Sequence, residues 1–227
     1  MEKYIFDKTK ISKHLLSYDS ELRICFQDPH FIKGAIVFLI VAYEDKPYDL
    51  VLIRRTNRKG DKHAGEMSFP GGKFDKNHDV SFLDTALRET EEELGIPRDQ
   101  INNIGCFDDH ITPKYFIISP FVGYVKPSVK MVKEVKEVKE IVKIPISFFA
   151  SKKNYKERTY TLNGSAIAVG KYVYRDSKGK KYIVFGATSH LIVHFIERVY
   201  GINLMAKGHR RLECRDFQTR IKKHKNN

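Results

Sequence analysis

The sequence contains no tryptophan and only three cysteines in 227 residues. Cys25, Cys106 and Cys214 lie far apart in the chain, so they form neither a disulfide framework nor the closely spaced pairs of a zinc knuckle. The longest apolar run, residues 35–42, is far shorter than the roughly 20 residues of a membrane-spanning helix. The first residues also lack the apolar centre of a secretory signal. We therefore expect a soluble, cytoplasmic protein with no membrane partner.

Acidic residues are fewer than basic ones, with 28 Asp and Glu against 41 Lys and Arg, which gives a formal charge of +13. Nearly half of this excess lies in residues 207–227, which hold eight basic and two acidic residues. We predict a single domain over residues 1–206, followed by a basic and flexible C-terminal tail. A basic chain favours anionic partners such as nucleotides or nucleic acid.

The pattern of apolar residues predicts an α/β fold. Two apolar, β-branched runs at 35–43 and 50–53 are separated by a polar loop, and the first is typical of a central strand that is buried on both faces. Helices are predicted at 7–18, 81–94 and 189–200. Further strands are predicted at 117–125, 158–162, 166–174 and 182–185. Residues 129–144, rich in Lys, Glu and Val, are predicted as a short helix or a charged loop.

The predicted helix at 81–94 has an apolar side and an acidic side. Ser81 is a suitable N-cap, and Gly95 suits the left-handed residue that ends a helix. Three glutamates share the acidic side because they are spaced at i, i+3 and i+4, with Cβ atoms about 5–6 Å apart. They are Glu89, Glu92 and Glu93.

An acidic helix face is most often a solvated surface, where repulsion between neighbouring charges is a few tenths of a kcal/mol. In a cleft of effective dielectric near 20, two carboxylates about 6 Å apart repel by roughly 3 kcal/mol. A cluster of carboxylate oxygens in such a cleft suits Mg²⁺ or Mn²⁺. Gly71 and Gly72 before the helix, and Arg88 directly before the first glutamate, favour the cleft.

The segment 72–96, which ends in Arg-Glu-Thr-Glu-Glu-Glu-Leu-Gly-Ile, resembles the Nudix box of the Nudix hydrolases. The resemblance implies an α/β/α sandwich with a mixed sheet, in which the box forms a loop–helix–loop. It also implies hydrolysis of a nucleoside diphosphate linked to another group, with Mg²⁺ or Mn²⁺. By position, the implied metal ligands are Glu89, Glu92 and Glu93, with Arg88 bracing them and Gly72 opening the box.

The box departs from the family pattern between its glycine and its arginine. The spacing from Gly72 to Arg88 is two residues longer than the standard one, and His78 stands where the family has an acid. Either Asp79 takes the role of that acid or no residue does.

Segments outside the box are similar to one branch of the family, the coenzyme A diphosphatases. They are residues 52–56, 63–72, 119–122 and 185–188. The resemblance therefore covers about 34–200 and implies cleavage of coenzyme A or acyl-CoA to 4′-phosphopantetheine and adenosine 3′,5′-bisphosphate. Asp61 replaces an arginine that the branch motif has there, which bears on recognition of the 3′-phosphate.

Several other residues are candidates for contact with substrate. Guanidinium groups hold phosphates as planar forks, and glycines allow a turn where a side chain would obstruct. The candidates are Arg54, Arg55, Arg58, His63, Gly71 and Gly72. Ordinary surface placement is the alternative for the arginines, and a loop hydrogen bond is the alternative for His63. The general base is left open between a metal-held glutamate, Glu137 and Glu140.

Other functions fit parts of the sequence. A Nudix pyrophosphohydrolase could instead act on ADP-ribose, NADH, nucleoside triphosphates or RNA ends. The basic residues of 207–227 also suit a nucleic-acid-binding protein. A Nudix-shaped binding module without catalysis is a further alternative, although such modules usually lose the box glutamates. A homodimer is an expectation from the resemblance alone.

Overall fold

The computed structural model describes residues 2–57, 64–162, 164–212 and 221–223. Its strands are β1 (Ile24–Phe26), β2 (Ile32–Val41), β3 (Asp49–Arg55), β4 (Met67–Ser68), β5 (Gly71–Lys73), β6 (Asn102–Cys106), β7 (His110–Ile111), β8 (Phe116–Val125), β9 (Val138–Pro145), β10 (Tyr155–Leu162), β11 (Ser165–Arg175), β12 (Lys181–Phe185) and β13 (Ile221–Lys223). Its helices are α1 (Lys8–Ser12), α2 (Phe82–Leu94), α3 (Ile146–Phe149) and α4 (Gly186–Tyr200), with short 3₁₀ turns at Glu2–Tyr4, Arg98–Gln100 and Lys152–Asn154.

An eight-stranded mixed sheet forms the centre of the protein. Strands β2 and β8 run parallel along their whole length, from Ile32 opposite Phe116 to Val41 opposite Val125. The other pairings are antiparallel: β3 and β5 pair with β2, β4 and β9 with β3, and β6 and β7 with β8. The short strand β5 carries the glycine pair, so the sheet itself places this turn beside the middle of the fold.

Strand β2 is buried on both faces, as its nearly continuous apolar sequence predicts. Val37 and Leu39 belong to the core layer that contains Ala86 of α2. Phe38, between them, belongs to the layer on the other face, where its ring stacks on Phe195 of α4 at a centroid distance of 4.6 Å. Side chains alternate between the faces of a strand, so one strand supports a helix on each side. The expected α/β/α sandwich with a mixed sheet is confirmed.

Helix α2 begins and ends as its sequence predicts. The Ser81 Oγ accepts a hydrogen bond from the Asp84 backbone N–H at 3.1 Å. Gly95 ends the helix in the left-handed conformation with a φ of 63°, and its N–H donates to the Glu91 carbonyl at 2.8 Å. These caps depend on neighbours in sequence, which is why the helix could be predicted closely.

Two predicted elements are wrong. Residues 129–144 contain no helix; their second half is strand β9, which pairs with β3 and buries Val138 and Ile144. The helix predicted at 7–18 ends at Ser12. The Leu16 N–H donates to the Cys106 carbonyl at 2.9 Å, so the chain beyond α1 is drawn to the sheet. In both places contacts with distant strands decide the conformation.

A second sheet, the antiparallel meander β10–β11–β12, packs over α4 and confirms the strands predicted there. The described residues of the basic segment 207–227 pair with two strands. Arg210 forms a parallel bridge with Ile167 of β11, and β13 pairs with β1. In the described ranges, no helix is long and apolar enough to cross a membrane.

Candidate functional site

A cavity of about 940 Å³ opens between the central sheet, α2, α4 and the β10–β11 hairpin. Gly71 and Gly72 of β5 line it, together with Glu89 and Glu93 of α2 and Arg55 at the end of β3. Residues of β10, β11 and the first turns of α4 line another part of it. The acidic side of the helix therefore faces a cleft.

The three box glutamates lie at different depths. The Glu93 side chain is 2% exposed, that of Glu89 is 18% exposed, and that of Glu92 is 58% exposed. Each residue of a helix is rotated by about 100° from the one before it. Glu89 and Glu93, four positions apart, therefore point only about 40° apart, whereas the adjacent Glu92 and Glu93 point about 100° apart. The structure accordingly brings Glu89 and Glu93 together on the cavity wall and leaves Glu92 at the outer edge of the helix.

The carboxylate of Glu93 has few partners for a buried charge. Its Oε2 accepts a hydrogen bond from the Gly71 N–H at 3.0 Å, and its Oε1 lies 3.9 Å from Arg55 Nη1. Burial raises the pKa of Glu93 to about 8. Burial also raises the pKa of Glu89, against the opposing effect of Arg88. Both carboxylates would gain from a nearby cation, because burial disfavours their charged forms.

Arg88 connects the glutamates to a buried anchor. Its Nη1 lies 3.0 Å from Glu89 Oε1 and 3.0 Å from Glu92 Oε2. Its Nε and Nη2 bind the two carboxylate oxygens of Asp79 at 2.7 and 3.0 Å. The fork geometry of the guanidinium matches a carboxylate in this way, so Arg88 is fixed in orientation while it holds Glu89.

Asp79, one of the two alternatives left by the sequence, is the acid that pairs with the box arginine. Its carboxylate also accepts hydrogen bonds from Thr85 Oγ1 at 2.9 Å and from the Asp75 N–H at 2.8 Å. The hydrogen bonds from Arg88 lower the pKa of Asp79 to about 2. His78 contacts Asp75 instead, on the exposed side of the loop.

The glycine pair brings backbone close to α2 and to β2. Gly71 has a φ of +145°, and a Cβ there would lie 2.3 Å from the Ala35 carbonyl oxygen. A Cβ on Gly72 would lie 2.2 Å from the Glu89 Cδ. Neither position has room for a side chain, and at Gly72 the space is taken by the Glu89 carboxylate itself.

The other predicted residues divide between the cavity and its surroundings. Arg55 and Glu137 line the cavity, and the charge of Glu137 raises the pKa of both Glu89 and Glu93. Arg54 lies outside the lining, 3.7 Å from Glu140, which Lys180 also contacts at 2.6 Å. Arg58 and His63 lie outside the described residues.

Several residues that line this cavity belong to none of the sequence candidates for the active site. They include Lys114, Tyr155, Ser189, His190 and Arg211, the last of which the sequence offered only for nucleic-acid binding. They come from four separate elements or loops and belong to no short motif. A pattern in one sequence cannot show that such residues meet, because the tertiary fold alone brings them together.

The donor chemistry of the cavity fits a hard divalent cation. Four carboxylates line one cavity, those of Glu66, Glu89, Glu93 and Glu137, and oxygen ligands suit Mg²⁺ and Mn²⁺. Within the described part of the chain, no three acidic, histidine or cysteine side chains already form a metal-holding group.

Comparison with known proteins gives one family and several relatives. A model of the NUDIX domain matches residues 33–146, half of the chain. The "Uncharacterized Nudix hydrolase NudL" of Photorhabdus laumondii is 29% identical over 154 residues, which cover 68% of this chain and 79% of that protein. The NudL of Yersinia pestis is 29% identical over 167 residues, which cover 74% of this chain and 80% of that protein. A MutT/nudix family protein from Enterococcus faecalis superimposes with a TM-score of 0.47 at 16% identity, covering 77% of this chain and 64% of that one.

Proposed function

Because this chain belongs to the Nudix family and is a pyrophosphohydrolase, we propose that it cleaves the diphosphate bond of coenzyme A or an acyl-CoA. The products would be 4′-phosphopantetheine, carrying any acyl group, and adenosine 3′,5′-bisphosphate. The observation that carries the proposal is a cavity large enough for a nucleotide derivative, with the buried carboxylate of Glu93 and the partly buried one of Glu89 on its wall.

The preference for coenzyme A is supported by two distant segments that resemble the coenzyme A branch. Residues 63–72 and 185–188 both contribute to the cavity wall. They are joined by a hydrogen bond from Thr188 Oγ1 to the Met67 carbonyl at 3.0 Å. Helix α4 and the β10–β11 hairpin lie beyond the matched domain, and they lengthen the cavity toward a substrate with a long second half.

We propose that Mg²⁺ or Mn²⁺ is held by Glu89, Glu92 and Glu93, with Glu137 as a further carboxylate of the same cavity. Such an ion neutralises diphosphate charge and lowers the pKa of a bound water. Glu92 would join from the edge of the helix, where Arg88 already holds it beside Glu89.

The chain's own residues would position the substrate and move one proton. Arg55 would hold a phosphate oxygen as a fork, and the glycine pair would let the diphosphate approach the backbone. Glu137 would accept the proton of the attacking water at its carboxylate. The water oxygen bonds to one phosphorus, the bridging P–O bond breaks, and the bridging oxygen leaves with the other phosphate. Arg88 and Asp79 act as positioning residues because they hold Glu89.

A substrate panel tests the proposal. The purified protein with Mg²⁺ or Mn²⁺ would be offered coenzyme A, acetyl-CoA, ADP-ribose, NADH, diadenosine polyphosphates, nucleoside triphosphates and 5′-triphosphorylated RNA. We expect kcat/KM to be at least about tenfold higher for the two coenzyme A compounds, a difference of about 1.4 kcal/mol in transition-state stabilisation. A preference for ADP-ribose, nucleoside triphosphates or RNA ends would overturn the coenzyme A assignment.

The two glycines of β5 should respond differently to alanine. Gly71→Ala meets backbone at 2.3 Å and demands an unfavourable φ, so we expect a loss of about 2–3 kcal/mol in unfolding free energy. Gly72→Ala meets the movable end of the Glu89 side chain. We expect that variant to keep its stability within about 1 kcal/mol while kcat falls about a hundredfold, as for a misplaced catalytic group. Urea unfolding and steady-state rates would measure both, and equal rates in Gly72→Ala and the parent would contradict this role of Gly72.

Four further expectations from the sequence stand as proposals. Residues 1–206 would fold as one domain, and residues 207–227 would act as a basic tail. The protein would work in the cytoplasm, as a homodimer. The alternative of nucleic-acid binding depends mainly on basic residues of that tail, of which 213–220 and 224–227 lie outside the described residues.

A further inference from the structure

Buried polar atoms without partners are concentrated between α4, the β10–β11 hairpin and residue 211. Across the described ranges, the buried side-chain atoms that lack a hydrogen-bond partner are Glu157 Oε2, Tyr172 Oη, Ser189 Oγ, His194 Nε2 and Arg211 Nη1. Buried polar atoms in proteins are nearly always paired with protein, water or ligand. Their grouping in one region indicates that a polar group belongs there.

Two of these residues line the large cavity, and both of their unpaired atoms can donate. Ser189 and Arg211 are part of the lining, whereas Glu157, Tyr172 and His194 are not. Ser189 is fully buried at the start of α4. A hydroxyl and a guanidinium N–H without partners, on two residues that line the same cavity, match a group with several acceptor oxygens and a negative charge.

Arg211 is held in place by the segment that carries it. The Arg210 N–H donates to the Ala166 carbonyl at 3.1 Å, and the Ala168 N–H donates to the Arg210 carbonyl at 2.8 Å. The Nη2 of Arg211 binds Glu197 of α4, which leaves Nη1 as the unpaired donor. The guanidinium is therefore already oriented before any ligand arrives, which lowers the entropy cost of binding.

The nearest titratable groups of the same wall do not compete with Arg211 for an anion. The rings of His110 and His190 lie 4.3 Å apart and both line the cavity. Burial, reinforced by the charge of Arg211, lowers the pKa of His110 to about 4 and that of His190 well below its usual value. Glu157 is engaged by His209 and by the Ala206 N–H. Arg211 is thus the cation beside these two histidines, and although Glu197 pairs with its Nη2, its Nη1 is left without a partner.

We propose that Arg211 and Ser189 form a second anion subsite, which binds a phosphomonoester or a carboxylate of the substrate apart from the diphosphate. This inference rests on the proposed function, since it places both groups on one substrate. In coenzyme A the phosphomonoester is the 3′-phosphate, and in a dicarboxylic acyl-CoA the carboxylate ends the acyl chain. Arg211, which lies outside the matched residues 33–146, would then take the role of the arginine that the branch motif has where this chain has Asp61.

Pairs of substrates that differ in one anionic group test the subsite. Coenzyme A against dephospho-coenzyme A isolates the phosphomonoester, and glutaryl-CoA against hexanoyl-CoA isolates the carboxylate. We expect one of the two pairs to show a preference for the charged member of about tenfold or more in kcat/KM, the size of one charge-assisted hydrogen bond. Arg211→Gln and Ser189→Ala should each reduce that preference. Lys207→Gln removes the same charge from an exposed position outside the cavity lining, and should leave the preference unchanged.

Binding of products gives a readout that does not depend on turnover. Adenosine 3′,5′-bisphosphate should bind about tenfold more tightly than AMP in calorimetry if the phosphomonoester is the ligand. Ser189→Ala removes a hydroxyl that lacks a partner, so it should fold normally even if Arg211→Gln, which leaves Glu197 unpaired, does not.

The two proposals fail in different ways. If coenzyme A compounds are cleaved but neither pair shows a preference that Ser189→Ala reduces, the subsite is overturned and the proposed function stands. If no coenzyme A compound is cleaved, the proposed function is overturned. In that case, equal binding of adenosine 3′,5′-bisphosphate and AMP, together with equal binding of glutaryl-CoA and hexanoyl-CoA, also overturns the subsite, whereas tighter binding of the charged member of either pair that weakens in Ser189→Ala supports it.

Discussion

Glu93→Gln should lower kcat by about a thousandfold while the protein remains folded. The side chain is the most deeply buried of the box glutamates, and its oxygens face the cavity beside Glu89. An amide keeps the shape and can still accept the hydrogen bond from Gly71, but it removes the charge that would hold a divalent ion. Loss of several kcal/mol of electrostatic stabilisation corresponds to a factor of this size in rate.

The pH dependence of the unfolding free energy is a second measurement that should distinguish Glu93→Gln from the parent. The folded-state pKa of Glu93, about 8, lies above the value near 4.5 of an unperturbed glutamate. The folded state therefore binds more protons than the unfolded state between these pH values, and the contribution of Glu93 to stability falls as the pH rises from about 4.5 to 8. Glutamine does not titrate, so the metal-free variant should gain stability relative to the parent as the pH increases through this range.

Glu91→Gln is the matched control, because Glu91 lies on the same helix outside the cavity lining and pairs with Arg98 at 3.0 Å. We expect its kcat to stay within about threefold of the parent, since a surface ion pair contributes about 1 kcal/mol or less to stability and nothing to the site. Full turnover by Glu93→Gln at saturating Mg²⁺, measured beside this control, would remove Glu93 from the proposed metal site.

The box helix could be predicted from the sequence because its determinants are local. Ser81 and Gly95 cap α2 through bonds to residues three or four positions away. The depth of each glutamate could not be predicted in the same way. Helical spacing shows that Glu89 and Glu93 point in similar directions, but that this direction is the buried one depends on how β5 lies against the helix.

Contacts between distant segments account for the errors and omissions. Strand β9 forms because it pairs with an edge of β3. Its Lys-Glu-Val sequence alone also suits a helix or a loop. The arginine partner Asp79 was one of two alternatives, since only the folded loop shows its carboxylate meeting Arg88. Arg211 reaches the cavity because Arg210 pairs with β11, an interaction between residues far apart in sequence. Local patterns predict elements well, whereas the composition of a cavity wall is a property of the assembled fold.

Asp79→Asn should destabilise the protein by about 3 kcal/mol and also slow turnover. The carboxylate is buried and binds both Nε and Nη2 of Arg88, so the amide removes the counter-charge on that side of the guanidinium and leaves Arg88 only the carboxylates at its Nη1. Breaking one partner of a buried pair costs about 3–5 kcal/mol, and the partial exposure of Arg88 places this pair at the lower end. Because Arg88 also holds Glu89, we expect kcat to fall about tenfold in the fraction that remains folded.

The pH dependence of unfolding identifies the cause of this loss. The pKa of Asp79 is about 2 in the folded protein, below the value near 3.9 of an unperturbed aspartate. Its contribution is therefore fully present above about pH 4 and is lost as the pH falls toward 2. The difference in unfolding free energy between parent and Asp79→Asn should shrink over that range, whereas Asp99→Asn at an exposed position should match the parent throughout. A difference that stays constant down to pH 2 would show that the loss comes from packing of the loop and not from the charge of Asp79.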